Sequence, residues 1–290
     1  MHLLGKPAMY SHKENNGVRC ELCPHRCLVL PGKSGICRMR RNRDGMLVAE
    51  GYGIVSSIAL DPIEKKPLFH FYPGSSILSL GSYGCNLRCL FCQNWQISQT
   101  QGKARPIVPK DVLNLAKTHQ SDGCVGVAFT YNEPLIWYEF ILETAPLLKA
   151  AGLKTVLVTN GYLSRLPWDE LIQHIDALNV DVKAWDDDFY GKMCGARLGP
   201  VLDNLAAAKD KCHIELTYLV IPDHNDDDAS LEGFARWVYN NLGADTPVHF
   251  SRYFPSYRLE IPATPTDVLK RARALAGKWL DFVYLGNVGL

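Results

Sequence analysis

The stretch GSYGCNLRCLFCQNW, residues 81–95, places Cys85, Cys89 and Cys92 within eight residues. It follows SILSLGS, residues 76–82, a short apolar run that reads as a buried strand. Gly81 and Gly84 let the chain turn sharply off that strand. Three thiolates in one loop can hold three irons of a cubane cluster and leave the fourth iron without a protein ligand. A closed ligand set is structural, whereas an open position is chemical. Two plainer readings exist: a zinc site completed by His70 or a distant cysteine, and three buried cysteines that bind nothing.

Outward from this loop the chain alternates between strands and helices. PKDVLNLAKTHQ (109–120) reads as a helix with Pro109 near its start. CVGVAFT (124–130) is a strand, and PLIWYEFILETAPLLKAAG (134–152) a helix ended by Gly152. The strands KTVLVTN, DALNVDVK, HIELTYLVI, TPVHFSRY and LDFVYLG then interleave with the helices PWDELIQH, LGPVLDNLAAAKDK, DDASLEGFARWVYNN and PTDVLKRARALAGK. Six βα units and a seventh strand predict an α/β fold with a parallel sheet covered by helices. Polar motifs follow successive strands: GSYGC, TYNEP, TNGY, DVK, IPDHND and HFSRY. Decorated carboxyl ends in a row favour the mouth of a partial (β/α)6 TIM-like barrel over the single crevice of a doubly wound sheet. Upstream, MLVAEGYGIVSSIAL (46–60) predicts one or two strands, and DPIEKKPLFHFYPGSS (61–76) a loop punctuated by prolines.

Residues 1–44 are polar, cysteine-bearing and too short to build a core. They read as a small metal-binding module ahead of a barrel over 45–290. Cys20, Cys23, Cys27 and Cys37 supply a complete ligand set, which suits structural zinc or a second [4Fe–4S] cluster equally well by count. Either would staple a coreless segment, and electron relay to the main cluster is the sharper reading. His25 reads as a solvated loop histidine. The 290 residues carry a net charge of +1, so there is no electrostatic footprint for nucleic acid. No run of about 18 apolar residues predicts a membrane span. MHLLGKPAMYSHKENN lacks the apolar core of a signal peptide, so a cytoplasmic protein is expected. Ten cysteines in that reducing compartment point to metal or redox chemistry instead of disulfides.

Cys85-x3-Cys89-x2-Cys92 resembles the signature of the radical S-adenosylmethionine (SAM) superfamily. The resemblance implies a [4Fe–4S] cluster whose open iron chelates SAM. Reductive cleavage then gives a 5′-deoxyadenosyl radical that takes hydrogen from a substrate. It also implies an electron donor such as flavodoxin or ferredoxin. Phe91 is expected beside the adenine. Tyr131, Asn132 and Glu133 of TYNEP stand where the family has a Gly-Gly-Glu-Pro-like motif that meets the SAM amino group. Thr159 and Asn160 are expected at the ribose or methionine part. Asp181 and Lys183 resemble the Asp-Leu-Lys of glycyl-radical-enzyme activases, and a mutual ion pair is their plainer role. Arg252, if it points inward, suits a carboxylate, and Ile221-Pro222-Asp223 would share the far side of the mouth. Cys194 is a candidate hydrogen-atom donor to a product radical, with buried packing as the alternative. Lys65 and Lys66 are candidates for reaching substrate or partner; Cys124 and Cys212 read as core.

CELCPHRC, DPIEKKPLFHF, GCNLRCLFCQNW, YNEP, VTNGY, KMCGA, VIPDHND and HFSRYFP together are similar to the radical SAM enzyme of the AmmeMemoRadiSam system, which is pyruvate formate-lyase activating enzyme-like. That implies Memo-like and AmMeCR-like partner proteins and leaves the small-molecule or protein substrate unnamed. Members of that family often continue past Gly286–Val288 into a tail with more cysteines, whereas this sequence stops at Leu290. An activase installing a glycyl radical on a partner protein is the first alternative, and a zinc-ribbon binding protein on an inert barrel the second.

Overall fold

The computed structural model describes residues 5–100, 102 and 105–288. The first four residues of the run read for a leader, and the chain's last two, lie outside the described ones. The main sheet holds eight strands among these residues: β1 (Ser57–Pro62), β2 (Ser76–Gly81), β3 (Cys124–Phe129), β4 (Lys154–Thr159), β5 (Ala177–Asp181), β6 (His213–Val220), β7 (Val248–Arg252) and β8 (Val283–Gly286). Their order in space follows their order in the chain. β1 is antiparallel to β2, and every other pair is parallel. A doubly wound sheet would reverse its order at a switch point. This one does not, and its edge strands β1 and β8 are unpaired with each other, so it is an α/β sheet of the partial-barrel kind. The crossovers are α1 (Pro109–Thr118), α2 (Tyr138–Ala150), α3 (Arg165–Leu171), α4 (Gly199–Ala208), α5 (Asp228–Asn241) and α6 (Thr266–Ala276).

The six βα units and the seventh parallel strand stand as the sequence predicts. Three local expectations need correction. Residues 46–60 form parts of three strands instead of one or two: Met46–Ala49, Ile54–Val55 and β1. β1 continues through Asp61 and Pro62, which the sequence placed in a loop. Proline is tolerated there because β1 is an edge strand and Pro62 is its last residue. The helix read from Pro167 begins at Arg165 and tightens into a 3-10 turn over Ile172–His174.

The barrel interior is filled, not hollow. The segment after β1 folds back inside, where Ile63 and Leu68 pack with Ile77, Ala128, Val156 and Ala177. Asn179 Nδ2 donates to the Pro67 carbonyl at 2.8 Å. The buried Glu215 carboxylate accepts the His70 N–H at 2.7 Å and meets His249 Nε2 at 2.6 Å and His213 Nε2 at 3.0 Å. Burial alone would raise its pKa, but these bonds outweigh that and hold it down at about 2. His70 Nε2 also meets the Tyr284 hydroxyl at 2.6 Å. It thus belongs to the barrel filling and does not line the cavity that holds Cys85, Cys89 and Cys92.

Ahead of the barrel lie two small antiparallel sheets, Ser11–Glu14/Gly17–Cys20/Leu28–Val29 and Lys6–Pro7/Met46–Ala49/Arg40–Arg43. The hairpin between Arg40–Arg43 and Met46–Ala49 spans the expected boundary at 44. Val18, Leu22, Val29 and Leu47 join the main hydrophobic core, so the segment borrows the barrel's core for want of its own. A buried ion pair fastens it: Arg40 Nη2 meets Glu139 Oε1 of α2 at 2.6 Å, and the side chains are 1% and 2% exposed.

Candidate active site

The cluster loop leaves β2 and is pinned along its length. Gly84 adopts φ +83, and a Cβ there would lie 2.5 Å from the Cys37 carbonyl oxygen, so both conformation and space require glycine. Asn132 clasps the loop's entrance: its Oδ1 accepts the Ser82 N–H at 2.9 Å, and its Nδ2 donates to Ser82 Oγ at 3.1 Å and to the Gly84 carbonyl at 2.9 Å. Further along, the Arg88 and Leu90 N–H groups donate to the carbonyls of Cys194 (2.8 Å) and Met193 (2.9 Å). The Arg258 N–H donates to the Leu90 carbonyl at 2.9 Å, and Ser256 Oγ to that of Cys92 at 3.1 Å.

Cys85, Cys89 and Cys92 all line one cavity of about 320 Å³ at the carboxyl ends of the strands. None is in a disulfide. Leu87 N–H points at Cys85 Sγ from 3.3 Å, and Asn160 Nδ2 from 3.7 Å, donors that suit a thiolate. Cys89 is held below the usual thiol range by the Cys194 thiol beside it, against burial and with help from the Lys183 ammonium. Among the described residues no three His, Cys, Asp or Glu side chains gather tightly enough for a single ion. Tetrahedral zinc, with Zn–S near ~2.3 Å, needs sulfurs only about 3.8 Å apart. Three thiols lining one cavity are three ligands, one short of a closed tetrahedral zinc set and the number that leaves one iron of a cubane open.

The strand-end motifs converge on the same cavity. Tyr131 takes φ +70, the left-handed conformation that glycine favours, so the backbone keeps the shape that the family's glycine implies. Its hydroxyl donates to Asp61 Oδ2 at 2.6 Å, and the Lys66 ammonium lies 4.6 Å from its ring centre. Glu133 is 3% exposed. Its Oε1 accepts the Leu135 N–H (2.9 Å) and Thr159 Oγ1 (2.6 Å), and its Oε2 the Asn160 N–H (2.8 Å). It therefore caps the turn at Pro134 and also faces the cavity. Burial outweighs those three donors and pushes its pKa up to about 7. Asp181 and Lys183 form the mutual ion pair at 2.8 Å while lining the cavity. Burial would lower the Lys183 ammonium, but Asp181 and Cys89 overcome it and hold the pKa above the usual range. Phe91, 3% exposed, contributes to the wall and packs on Phe189 with ring centres 5.8 Å apart.

Two expected site residues lie elsewhere. Arg252 is not in the cavity wall; its Nε donates to the Thr264 carbonyl at 2.7 Å and its guanidinium covers the Phe254 ring. Cys194 is fully buried behind Cys89, outside the cavity. Its burial matches the packing alternative. Asp223 is likewise outside the wall, which on that side is made by Thr217, Leu219, Ser251 and Asn287. Lys66 is 2% exposed and paired with Asp61 at 2.8 Å, whereas Lys65 is exposed. Cys124 is core, and Cys212 packs against the core while staying partly exposed. His25, expected in solvent, packs its ring on Tyr162 and bonds the Asn86 carbonyl at 2.8 Å.

Comparison with known proteins gives these arrangements a context. A model of the Radical SAM superfamily matches residues 80–234, just over half of the chain. The chain is 42% identical to the uncharacterised protein MJ0808 of Methanocaldococcus jannaschii, over 98% of this chain and 85% of that protein. It is 28% identical to the pyruvate formate-lyase 1-activating enzyme of Escherichia coli K12, over 51% of this chain and 62% of that enzyme. Among solved structures, Streptococcus suis SuiB bound to S-adenosylmethionine shares the fold, with a TM-score of 0.59 at 13% identity over 73% of this chain and 52% of that one.

Proposed function

The chain belongs to the radical SAM superfamily and is a radical SAM enzyme, and on that premise we propose how the cavity divides its work. Cys85, Cys89 and Cys92 hold a [4Fe–4S] cluster through three thiolates. When bound, cluster and SAM together supply a one-electron cleavage to methionine and a 5′-deoxyadenosyl radical, which takes a hydrogen atom from the substrate. Glu133 receives the SAM ammonium, Lys183 the SAM carboxylate, and the Phe91 ring the adenine. Thr159 and the Asn160 N–H fix the Glu133 carboxylate for that task, and Asn132 and Tyr131 hold the loop and strand end in place. The side of the cavity lined by Lys66, Tyr131, Ser251 and Asn287 is left for the substrate.

The observation that carries this reading is the convergence of three free thiols with Glu133 and Lys183 on one cavity. Anaerobic protein with its iron restored, given dithionite and SAM, is expected to release 5′-deoxyadenosine. An intact cluster with no 5′-deoxyadenosine would falsify the assignment. Glu133 makes a sharper prediction. A carboxyl with a pKa of about 7 is half protonated at neutral pH, and an ammonium beside it lowers that pKa. SAM binding near pH 7 should therefore release protons from the wild type and none from Glu133→Gln. Calorimetry in buffers of different ionisation enthalpy measures the difference.

The similarity to the E. coli activase supports a second reading, in which the radical is passed to a glycine of a partner protein. A glycyl radical signal on an added partner would select it. The motif runs from CELCPHRC to HFSRYFP support membership of the AmmeMemoRadiSam group, with Memo-like and AmMeCR-like partners and a flavodoxin or ferredoxin as donor. Ten cysteines, seven of them in two clusters with metal-ligand spacing, suit a reducing compartment such as the cytosol. Among the described residues no helix is long and apolar enough to cross a membrane.

A further inference from the structure

Cys20, Cys23, Cys27 and Cys37 come from two tight turns and line one small cavity distinct from the active site. In the first turn the Cys20 N–H bonds the Cys27 carbonyl (2.9 Å) and the Arg26 N–H the Cys23 carbonyl (3.0 Å). In the second, the Gly35 N–H bonds the Arg40 carbonyl and the Arg38 N–H the Gly35 carbonyl, both at 2.9 Å, around Cys37. All four thiols are free. Arg40 lines the same cavity and is 1% exposed, yet its Nε has no hydrogen-bond partner. A buried charged donor left unpaired is costly. Four thiolates around an iron–sulfur cluster carry net negative charge, and an Arg N–H beside them is the complement they need. Structural zinc could use the same four thiolates, but it would have no use for contact with the other cysteine loop.

The two cysteine loops touch at two places. His25, two residues from Cys23, bonds the carbonyl of Asn86, which adjoins Cys85. The carbonyl oxygen of Cys37 abuts Gly84, the other neighbour of Cys85, with no room for a Cβ between them. We propose that Cys20, Cys23, Cys27 and Cys37 hold a second [4Fe–4S] cluster that relays electrons to the SAM-binding cluster across the His25–Asn86 and Cys37–Gly84 contacts. A low-potential one-electron carrier, an iron–sulfur or flavin protein, reduces the second cluster by one electron. That electron passes to the first cluster, and the second returns to its oxidised state. Only the relay rests on the active-site reading above; the second site stands without it.

The test separates the two. The triple variant Cys85→Ala/Cys89→Ala/Cys92→Ala, reconstituted anaerobically, is expected to keep about four irons per chain against about eight in the wild type. It should also show the paramagnetic signal of a lone reduced [4Fe–4S] cluster without cleaving SAM. Zinc in place of iron, or neither metal, in a triple variant whose circular dichroism matches the wild type overturns the proposal. If that variant does not fold, the iron count of the wild type decides: about eight per chain supports two clusters, and about four with one zinc, or about four alone, overturns them. The relay has its own readout. In doubly reduced wild type the second cluster's signal should resist microwave saturation more than it does alone in the triple variant, because a nearby spin speeds its relaxation. Identical saturation would sink the relay. Failure of the wild type to cleave SAM while both iron counts hold would refute the active-site reading and leave the second site standing.

Discussion

Cys85→Ala or Cys92→Ala protein is expected to release 5′-deoxyadenosine at less than about a thousandth of the wild-type rate, a barrier rise of about 4 kcal/mol. The size of the effect follows from what the thiols do. With two sulfurs left, the cluster loses an anchor as well as its place beside Glu133 and Lys183. The surrounding hydrogen bonds cannot substitute, because Leu87 N–H and Asn160 Nδ2 are donors aimed at Cys85 Sγ and have no iron-binding capacity. Cys124→Ala is the control. That thiol is buried in β3, with its sulfur on the Gly126 carbonyl, so its loss should trim stability and leave cleavage intact. Product quantification by chromatography under anaerobic conditions reads both.

Arg40→Met is expected to destabilise the protein by about 3–5 kcal/mol, seen as a lower urea midpoint, because it leaves the buried Glu139 carboxylate without its cation. Two further bonds depend on the same pair. Glu139 Oε1 also accepts the Met9 N–H at 2.8 Å, and Arg40 Nη1 donates to the Met9 carbonyl at 3.0 Å. The pair thus fastens both the first strands and the Arg40–Arg43 hairpin to α2. Arg40→Met/Glu139→Leu should recover much of the loss, since removing both charges avoids the uncompensated one. A double variant no better than the single would show that the cost comes from the packing of Arg40 or its charge beside the four cysteines, not from the unpaired Glu139.

The parallel sheet was readable because its strands are short apolar runs whose carboxyl ends carry polar motifs, and because the cluster loop is compact in sequence. Failures came where a neighbour from across the fold decides. His25 reads as solvated until Asn86 and Tyr162 are known to stand over it. Cys194 looks like a lone thiol near a glycine until Arg88 and Leu90 pair with its backbone and its neighbour's. Arg252 is different, because a signal was present. Side chains alternate across a strand. His249 and Ser251 face the barrel interior, while Phe250 packs outward on Tyr218 and Phe234 beneath the helices. Arg252 shares the parity of Phe250, so an inward guanidinium was already disfavoured. The same alternation, started from the charged Glu215 in β6, would have found Thr217 and Leu219 in the cavity wall.

The Cys89 and Cys194 thiols are hydrogen-bonding neighbours, and that pairing has a consequence for the protein in air. Oxygen that dismantles the iron frees Cys89 next to a thiol already touching it. With oxygen taking up the two electrons and two protons of both thiols, a Cys89–Cys194 disulfide is the expected product, and it would take one sulfur out of the ligand set. Repair then has an order. A thiol reductant must reopen that bond before iron and sulfide are added, and a Cys194→Ala protein should accept them without that first step.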